Sequence, residues 1–458
     1  MLRIVNPATE ELVREIETDT PESVATKYQE ARAAQPAWAA RPFEEKVAMI
    51  KRFGEILAGR REELAALLTS EMGKPLGQAK GEVAGVQGRV DFFTQELAAT
   101  TALQEMSQGE PGSMTEQVSY EPLGVIGNIS AWNYPYFVGS NVFVPALLAG
   151  NAILYKPSEF ATLSGLEMAR ALHEAGIPKE VFVPLVGEGD IGKALLDQPL
   201  DGMFFTGSHA TGVKIAEAAS RKMMRVQLEL GGKDPAYVAD DVEDIAGIAD
   251  SVAGGVFYNA GQSCCSIERV YVHERVYEKF VESFLKVVGE YRLGDPTDKD
   301  VFIGPLTREP QRAVIAEQVS DALEKGASLR MGGKLVEGPG YFFEPTVFTE
   351  VTHDMLLMRE ESFGPIIGIQ KVSSDDEALQ LMNDTRYGLT ASVFSVDEAR
   401  AVAMMGRLNA GSVYWNCCDR VSPRLPWTGW GDSGVGSTLG YDGIRAFVQP
   451  KAWHLRKS

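Results

Sequence analysis

Apolar residues recur every three or four positions from Glu44 to Leu68, with arginine and glutamate between them, and this period marks helix in the first hundred residues. From Gly124 the pattern changes to short apolar runs alternating with helical stretches. Residues 125–129, 152–155, 181–186 and 203–205 read as strands. Residues 161–175, 191–196 and 210–224 read as helices, the first of them stopped by Gly176 and Pro178. That alternation predicts an α/β fold, a parallel sheet covered by helices. A second series follows a change of domain near Gly231-Gly232. It has helices at 242–256, 276–288, 311–324 and 375–383 and a strand at 269–272. Residues 115–120 and 445–455 look strand-like outside both series and suggest a small element for contacts between subunits.

A chain of 458 residues is too long for one core, so two or three domains are expected. The formal net charge of −19 repels phosphate backbones and anionic membranes, which disfavours a nucleic-acid partner. Residues 122–155 carry no charge and would be long enough to span a membrane. Pro135, Pro145, several glycines and six Asn or Ser residues interrupt them, so they read as buried strand, loop and helix. The start of the sequence has no apolar signal region, and a cytoplasmic protein is expected. The four cysteines form two adjacent pairs, Cys264-Cys265 and Cys417-Cys418, and the five histidines are scattered. Neither pattern suits a disulfide framework or a metal site, and none is expected.

Two glycine-bearing junctions follow strands. Gly187-Glu-Gly-Asp-Ile-Gly192 fits the dinucleotide-binding pattern, and nearly fits a P-loop, but Ala194 stands where a magnesium-binding hydroxyl would be needed. It could equally be a tight turn that needs glycine. Phe205-Thr-Gly207-Ser208 opens a helix whose free N–H groups suit a pyrophosphate.

Cys264 lies in a polar, glycine-bearing turn before a strand, where a buried structural cysteine and a reactive one are both conceivable. No histidine stands nearby, so its partner could be a carboxylate. Glu229, in Gln227-Leu-Glu-Leu-Gly-Gly232, is an acid in an apolar strand and a candidate base.

Taken together, Phe257-Tyr-Asn-Ala-Gly-Gln-Ser-Cys264 and Leu228-Glu-Leu-Gly-Gly-Lys233 resemble the two signature motifs of the aldehyde dehydrogenase superfamily. The resemblance runs nearly end to end. It takes in Val5-Asn-Pro-Ala-Thr, Trp132-Asn-Tyr-Pro, Tyr155-Lys-Pro-Ser-Glu159, Phe205-Thr-Gly-Ser208, Glu360-Glu-Ser-Phe363-Gly-Pro and Tyr387-Gly-Leu. It implies a Rossmann-like cofactor domain at 1–103 and 124–231 and an α/β catalytic domain at 232–432. A small β element at 104–123 and 433–458 would join subunits into a homodimer or homotetramer. It further implies Cys264 as nucleophile, Glu229 as general base, and the Asn133 side chain with the Cys264 N–H as oxyanion donors.

The same resemblance gives the cofactor positions: Trp132, Lys156, Ser158, Glu159, Gly187, Gly207, Ser208, Leu230, Glu361 and Phe363. The cofactor loop falls at residues 207–212, which makes Gly187 the adenosine-side turn. NAD is preferred, because Glu159 would repel a 2′-phosphate, and NADP remains possible through Lys156 and Ser158. The implied reaction oxidises a small-molecule aldehyde to an acid through a thioester, hydrolysed by water that Glu229 activates. Glu229 argues against a coenzyme A-acylating enzyme, and the complete set of chemical positions argues against a non-catalytic structural protein. The substrate pocket falls on Tyr134, Tyr258, Ser263, Val421 and Trp427. Its aromatic faces suit neutral or cationic aldehydes, with betaine aldehyde or an aminoaldehyde as specific candidates. Succinate semialdehyde is disfavoured, since Asn141 and Tyr258 replace the arginines typical of enzymes for it, although Arg420 and Arg424 lie on the substrate-side loop.

Overall fold

A computed structural model describes residues 1–107 and 114–456 of the chain. The first sheet has six strands in the order Gly434–Val435, Arg225–Glu229, Gly202–Thr206, Val125–Ile129, Ala152–Lys156 and Phe182–Pro184. The last five are mutually parallel, and Gly434–Val435 runs antiparallel along Leu228 and Glu229. These strands are buried on both faces, which is why they read as continuous apolar runs. From Val125–Ile129 the chain builds first to one side and then to the other. The strand order therefore reverses beside Gly202–Thr206, and a crevice opens at the carboxyl ends of these two strands. Trp132 and Asn133 follow one strand there, and Gly207 and Ser208 follow the other.

Between Glu229 and Asp234 the chain passes to a seven-stranded sheet. Its order is Ser328–Met331, Thr346–Thr349, Ile366–Val372, Ile267–His273, Asp234–Val238, Thr390–Phe394 and Ser412–Trp415. Every neighbouring pair is parallel except the first. Only Ile267–His273 corresponds to a strand read from the sequence. The others are four to seven residues long, and the four inner ones are largely buried, so neither alternation nor length marks them. An antiparallel pair at the start, Leu2–Val5 with Leu12–Ile16, was also unmarked.

The helical reading of the first hundred residues holds from Pro21 to Thr100, which form four helices, and fails before them, where the two strands lie. Helices Phe43–Gly59 and Arg61–Met72 divide the 44–68 stretch at Arg60, whose φ of −109° and ψ of 15° leave the helical region. They and Leu76–Thr100 pack over Pro135–Leu148, burying Phe53 and Phe143 edge-to-face at 5.8 Å, while Phe143 meets Phe182 at 5.3 Å. Cutting Phe143 to alanine removes this junction and costs about 3–5 kcal/mol.

Residues 122–155 are strand, helix and strand as expected, and no helix among the described residues is long and apolar enough to cross a membrane. The strand-like terminal segments pair with each other. Val448–Arg456 runs antiparallel to Met114–Pro122, which also pairs with Gln104–Ser107. The reading of 445–455 began too early, because Gly440–Arg445 is a short helix. Of the expected subunit-joining element, residues 108–113 and 457–458 lie outside the described residues.

Candidate active site

Helix Ile245–Phe257 ends in a turn at Tyr258–Gly261 in which three consecutive residues are left-handed: Asn259 (φ 53°), Ala260 (φ 55°) and Gly261 (φ 69°). A non-glycine residue there costs on the order of 1–3 kcal/mol and survives only where its surroundings over-determine it. They do. The Asn259 N–H donates to Gln78 Oε1 at 2.9 Å, Asn259 Nδ2 to the Gln262 carbonyl at 3.1 Å, and Gln262 Nε2 to the Asn259 carbonyl at 3.1 Å. The Thr307 N–H donates to Gln262 Oε1 at 2.8 Å. Gly261 is required by sterics as well, because a Cβ there would lie 2.3 Å from the Gly364 carbonyl oxygen. The turn delivers Cys264 to a cavity of about 380 Å³.

Cys264 is partly exposed and Cys265 is buried. The Cys265 thiol donates to Asp419 Oδ1 at 3.0 Å and lies 3.4 Å from Ser263 Oγ, so it is engaged by the wall. For Cys264, the hydrogen bond with Cys265 favours the thiolate. Burial and the carboxyls of Glu229, Asp234 and Asp419 oppose it, and the net direction is upward. The thiol therefore needs a base.

Glu229 ends its strand with its carboxyl in the same cavity. It is buried, and its Oε1 has no hydrogen-bond partner among the described residues. Burial pushes its pKa up to about 8, and the Thr438 hydroxyl only partly offsets this. Such a carboxyl can hold and release a proton near neutral pH. Asn133 lines the turn beside Cys264. Its Nδ2 donates one proton to the Gln262 carbonyl at 3.2 Å, which leaves the second for a ligand.

The expected pocket residues Tyr134, Tyr258, Ser263, Val421 and Trp427 all line this cavity. Other residues in or behind this wall were not read from the sequence. Lys74 and Glu82 form a buried ion pair. Lys74 also donates to the Asn133 carbonyl at 2.6 Å and lies 3.7 Å over the Tyr134 ring, while Glu82 accepts from the Tyr136 N–H at 2.9 Å. Arg89 donates from Nε to Asn141 Oδ1 at 2.8 Å. Glu82 and Arg89 share the apolar face of helix Leu76–Thr100 with Val86, Val90 and Phe93, and two charges on a buried stripe were the missed signal.

The remaining expected residues lie around the sheet crevice. Ser208 caps helix His209–Ser220 and accepts from the Thr211 N–H, and the Gly207 N–H donates to the Glu229 carbonyl at 3.0 Å. Leu230 packs on Gly212 of that helix. Lys156 ends its strand almost fully buried; among the described residues its ammonium reaches only the Pro157 carbonyl at 3.3 Å and Glu159 at 3.6 Å. Ser158 donates to Glu159 at 3.4 Å, and Gly187 turns into helix Gly189–Asp197. From the catalytic side, Glu361 Oε1 accepts from the Gly232 N–H at 3.1 Å. A side chain at residue 231 would prevent this approach, since its Cβ would lie 2.3 Å from the carboxylate. Phe363, left-handed at φ 47°, sets its ring edge-to-face with Trp132 at 5.4 Å. Glu268, also unread, holds the segment by accepting from the Ser362 and Phe363 N–H groups and from Lys233. A capped helix N-terminus, a buried ammonium with unused protons and an acid beside it suit a dinucleotide's pyrophosphate and ribose. The residues present therefore fit the expected cofactor. No cluster of metal-binding side chains occurs among the described residues.

Known proteins resemble the chain along its whole length. The model of the aldehyde dehydrogenase family matches residues 1–453. The betaine aldehyde dehydrogenase of Brucella anthropi is 34% identical over 99% of this chain and 93% of its own. The succinate-semialdehyde dehydrogenase [NADP(+)] of Deinococcus radiodurans is 35% identical over 98% and 93%. Among solved structures, an NAD-dependent aldehyde dehydrogenase from Sinorhizobium meliloti superposes with a TM-score of 0.96 at 33% identity, covering 99% of this chain and 91% of that one.

Proposed function

The chain belongs to the aldehyde dehydrogenase family and is an NAD(P)-dependent enzyme acting on aldehydes, and from that premise we propose that it works through a thioester on Cys264 that Glu229 helps to hydrolyse. The observation that carries this reading is the pairing, in one cavity, of a partly exposed thiol on a strained turn with a buried carboxyl that has one free oxygen. Glu229 takes the thiol proton and releases it to solvent, and the sulfur bonds to the aldehyde carbon. The free Asn133 proton and the Cys264 N–H meet the oxygen that becomes negative, each contributing about 3–4 kcal/mol. The nicotinamide, when bound, supplies the hydride acceptor. Glu229 then takes a proton from water as its oxygen attacks the thioester carbon, and the Cys264 thiolate leaves. Asp419 and Ser263 hold Cys265 aside, which supports Cys264 as the nucleophile.

Lys156, Ser158 and Glu159 would hold the adenosine ribose, Ser208 and Gly207 the pyrophosphate, and Glu361 and Phe363 with Trp132 the nicotinamide half. Glu159 beside Lys156 favours NAD over NADP. We assign cofactor binding to residues 1–103 and 124–231, catalysis to 232–432, and subunit contacts to 104–123 and 433–458. Strand Val448–Arg456 is exposed at eight of its nine positions, including Trp453 and Leu455. So bare a strand supports a homodimer or homotetramer in which another subunit covers it, and we take the enzyme to be cytoplasmic. The aromatic walls of Tyr134, Tyr258 and Trp427 suit the uncharged carbon chain of an aldehyde. A betaine or ammonium head group would meet the Arg89 guanidinium in the same cavity. Incubation with mixed aldehydes and either cofactor tests the function: reduced cofactor must accumulate, and its absence with every aldehyde would leave a structural protein of the same fold.

A further inference from the structure

Arg89 lies 4% exposed in the wall of the catalytic cavity, and among the described residues no carboxylate pairs with it. Its partners are neutral: Asn141 Oδ1 at 2.8 Å from Nε, the Gly85 carbonyl at 3.2 Å from Nη1, and the face of Phe137, 3.9 Å from Cζ to the ring centre. Nη2 has no partner among the described residues, and Nη1 keeps a second proton. Buried charges are ordinarily paired, because taking an ion out of water without a counter-charge is expensive. The acid whose charge acts on it, Glu82, is already paired with Lys74. Burial draws the Arg89 guanidinium down to about 10, which leaves it charged at neutral pH. Asp419 stands apart from this arrangement. It is bonded to the Cys265 thiol and borders both the cavity and an outer vestibule lined by Tyr291, Phe302 and Arg420, whereas Arg89 lines only the inner space.

We propose that Arg89 is a specificity-determining residue that anchors a carboxylate at the far end of the aldehyde, so the substrates are short ω-oxo carboxylates. Three guanidinium protons are open, one on Nη1 and two on Nη2, so each of these adjacent nitrogens has a proton for one oxygen of a carboxylate. Asn141 and Phe137 fix the fork before the substrate arrives, so little ordering is needed on binding. This inference rests on the thioester reading above and names its substrate class.

The test measures kcat/KM for short ω-oxo carboxylates, for their methyl esters and for ω-ammonio aldehydes of equal length. The wild type should prefer acid to ester by at least about tenfold, the scale of a hydrogen bond to a charged group, and should use ammonio aldehydes worst. In Arg89→Leu the acid-to-ester ratio should collapse towards one through a raised KM for the acid, and Arg89→Lys should restore part of it. A purely structural role would lower acid and ester together and leave the ratio intact, which would overturn the proposal. Equal use of acid and ester by the wild type would overturn it without any variant, and then the thioester reading would still stand. No cofactor reduction with any of the aldehydes would overturn both.

Discussion

Replacing Glu229 with glutamine should change how stability and turnover depend on pH, and the size of the change follows from burial. An ordinary glutamate titrates at 4.5, and Glu229 is pushed to about 8 by a setting that leaves Oε1 without a partner. That difference of roughly 3.5 units corresponds to about 5 kcal/mol favouring the protonated form in the folded state. The folded carboxyl binds its proton more tightly than the unfolded chain does. Its contribution is therefore fully present below about pH 4.5, is lost as pH rises through 8, and is absent above. Glutamine stays neutral throughout, so Glu229→Gln should gain on the wild type by about 1.4 kcal/mol per pH unit across that window and no further above it. Denaturant unfolding of both proteins from pH 5 to 9 reads this difference. Wild-type deacylation should meanwhile rise up to about pH 8 as the basic form fills. A stability difference that stays flat from pH 5 to 9 would show that the carboxyl is not held neutral by burial, and the account of the base would fail.

Cys264→Ala should abolish oxidation, whereas Cys265→Ala should keep a substantial part of it; the reverse, measured with one aldehyde at saturating cofactor, would reassign the nucleophile. NAD should give a higher kcat/KM than NADP, and Glu159→Gln should narrow the gap by relieving repulsion of the 2′-phosphate; a wild type that prefers NADP contradicts this. Glu82→Gln strands the buried Lys74 charge and should cost about 3–5 kcal/mol, seen as a lower unfolding midpoint, and a midpoint within about 0.5 kcal/mol of the wild type would refute the pairing.

How much of this was legible in the sequence depended on the range of the interactions. The first sheet could be read because helices separate its strands and glycines punctuate them. The second could not, because strands such as Asp234–Val238 and Thr390–Phe394 are short and buried on both faces, and two of its acids and hydroxyls pair inside it, Thr390 donating to Asp234 at 2.6 Å. Cys264, Glu229 and Asn133 sit in motifs whose local order carries the signal. The groups that hold them do not: Gln78 reaches Asn259 across 181 positions, and Glu268 reaches Phe363 across 95. Arg89 and Asn141 lie 52 positions apart, so a pocket judged by residues at expected positions lacked the cation that another helix supplies. The dinucleotide pattern at Gly187 was the better textual match. Ser208, less distinctive in sequence, caps the twelve-residue helix at the crevice where the strand order reverses.

The most direct test is to trap the thioester. Glu229→Gln, mixed with an oxidisable aldehyde and cofactor, should release one burst of reduced cofactor per active site, slower than the wild type's first turnover because the thiol has lost its base, and then stall. Its intact mass should rise by that of the aldehyde less two hydrogens, and fragmentation should place the acyl group on Cys264. A burst with no covalent adduct, or an adduct on Cys265 alone, would contradict the account.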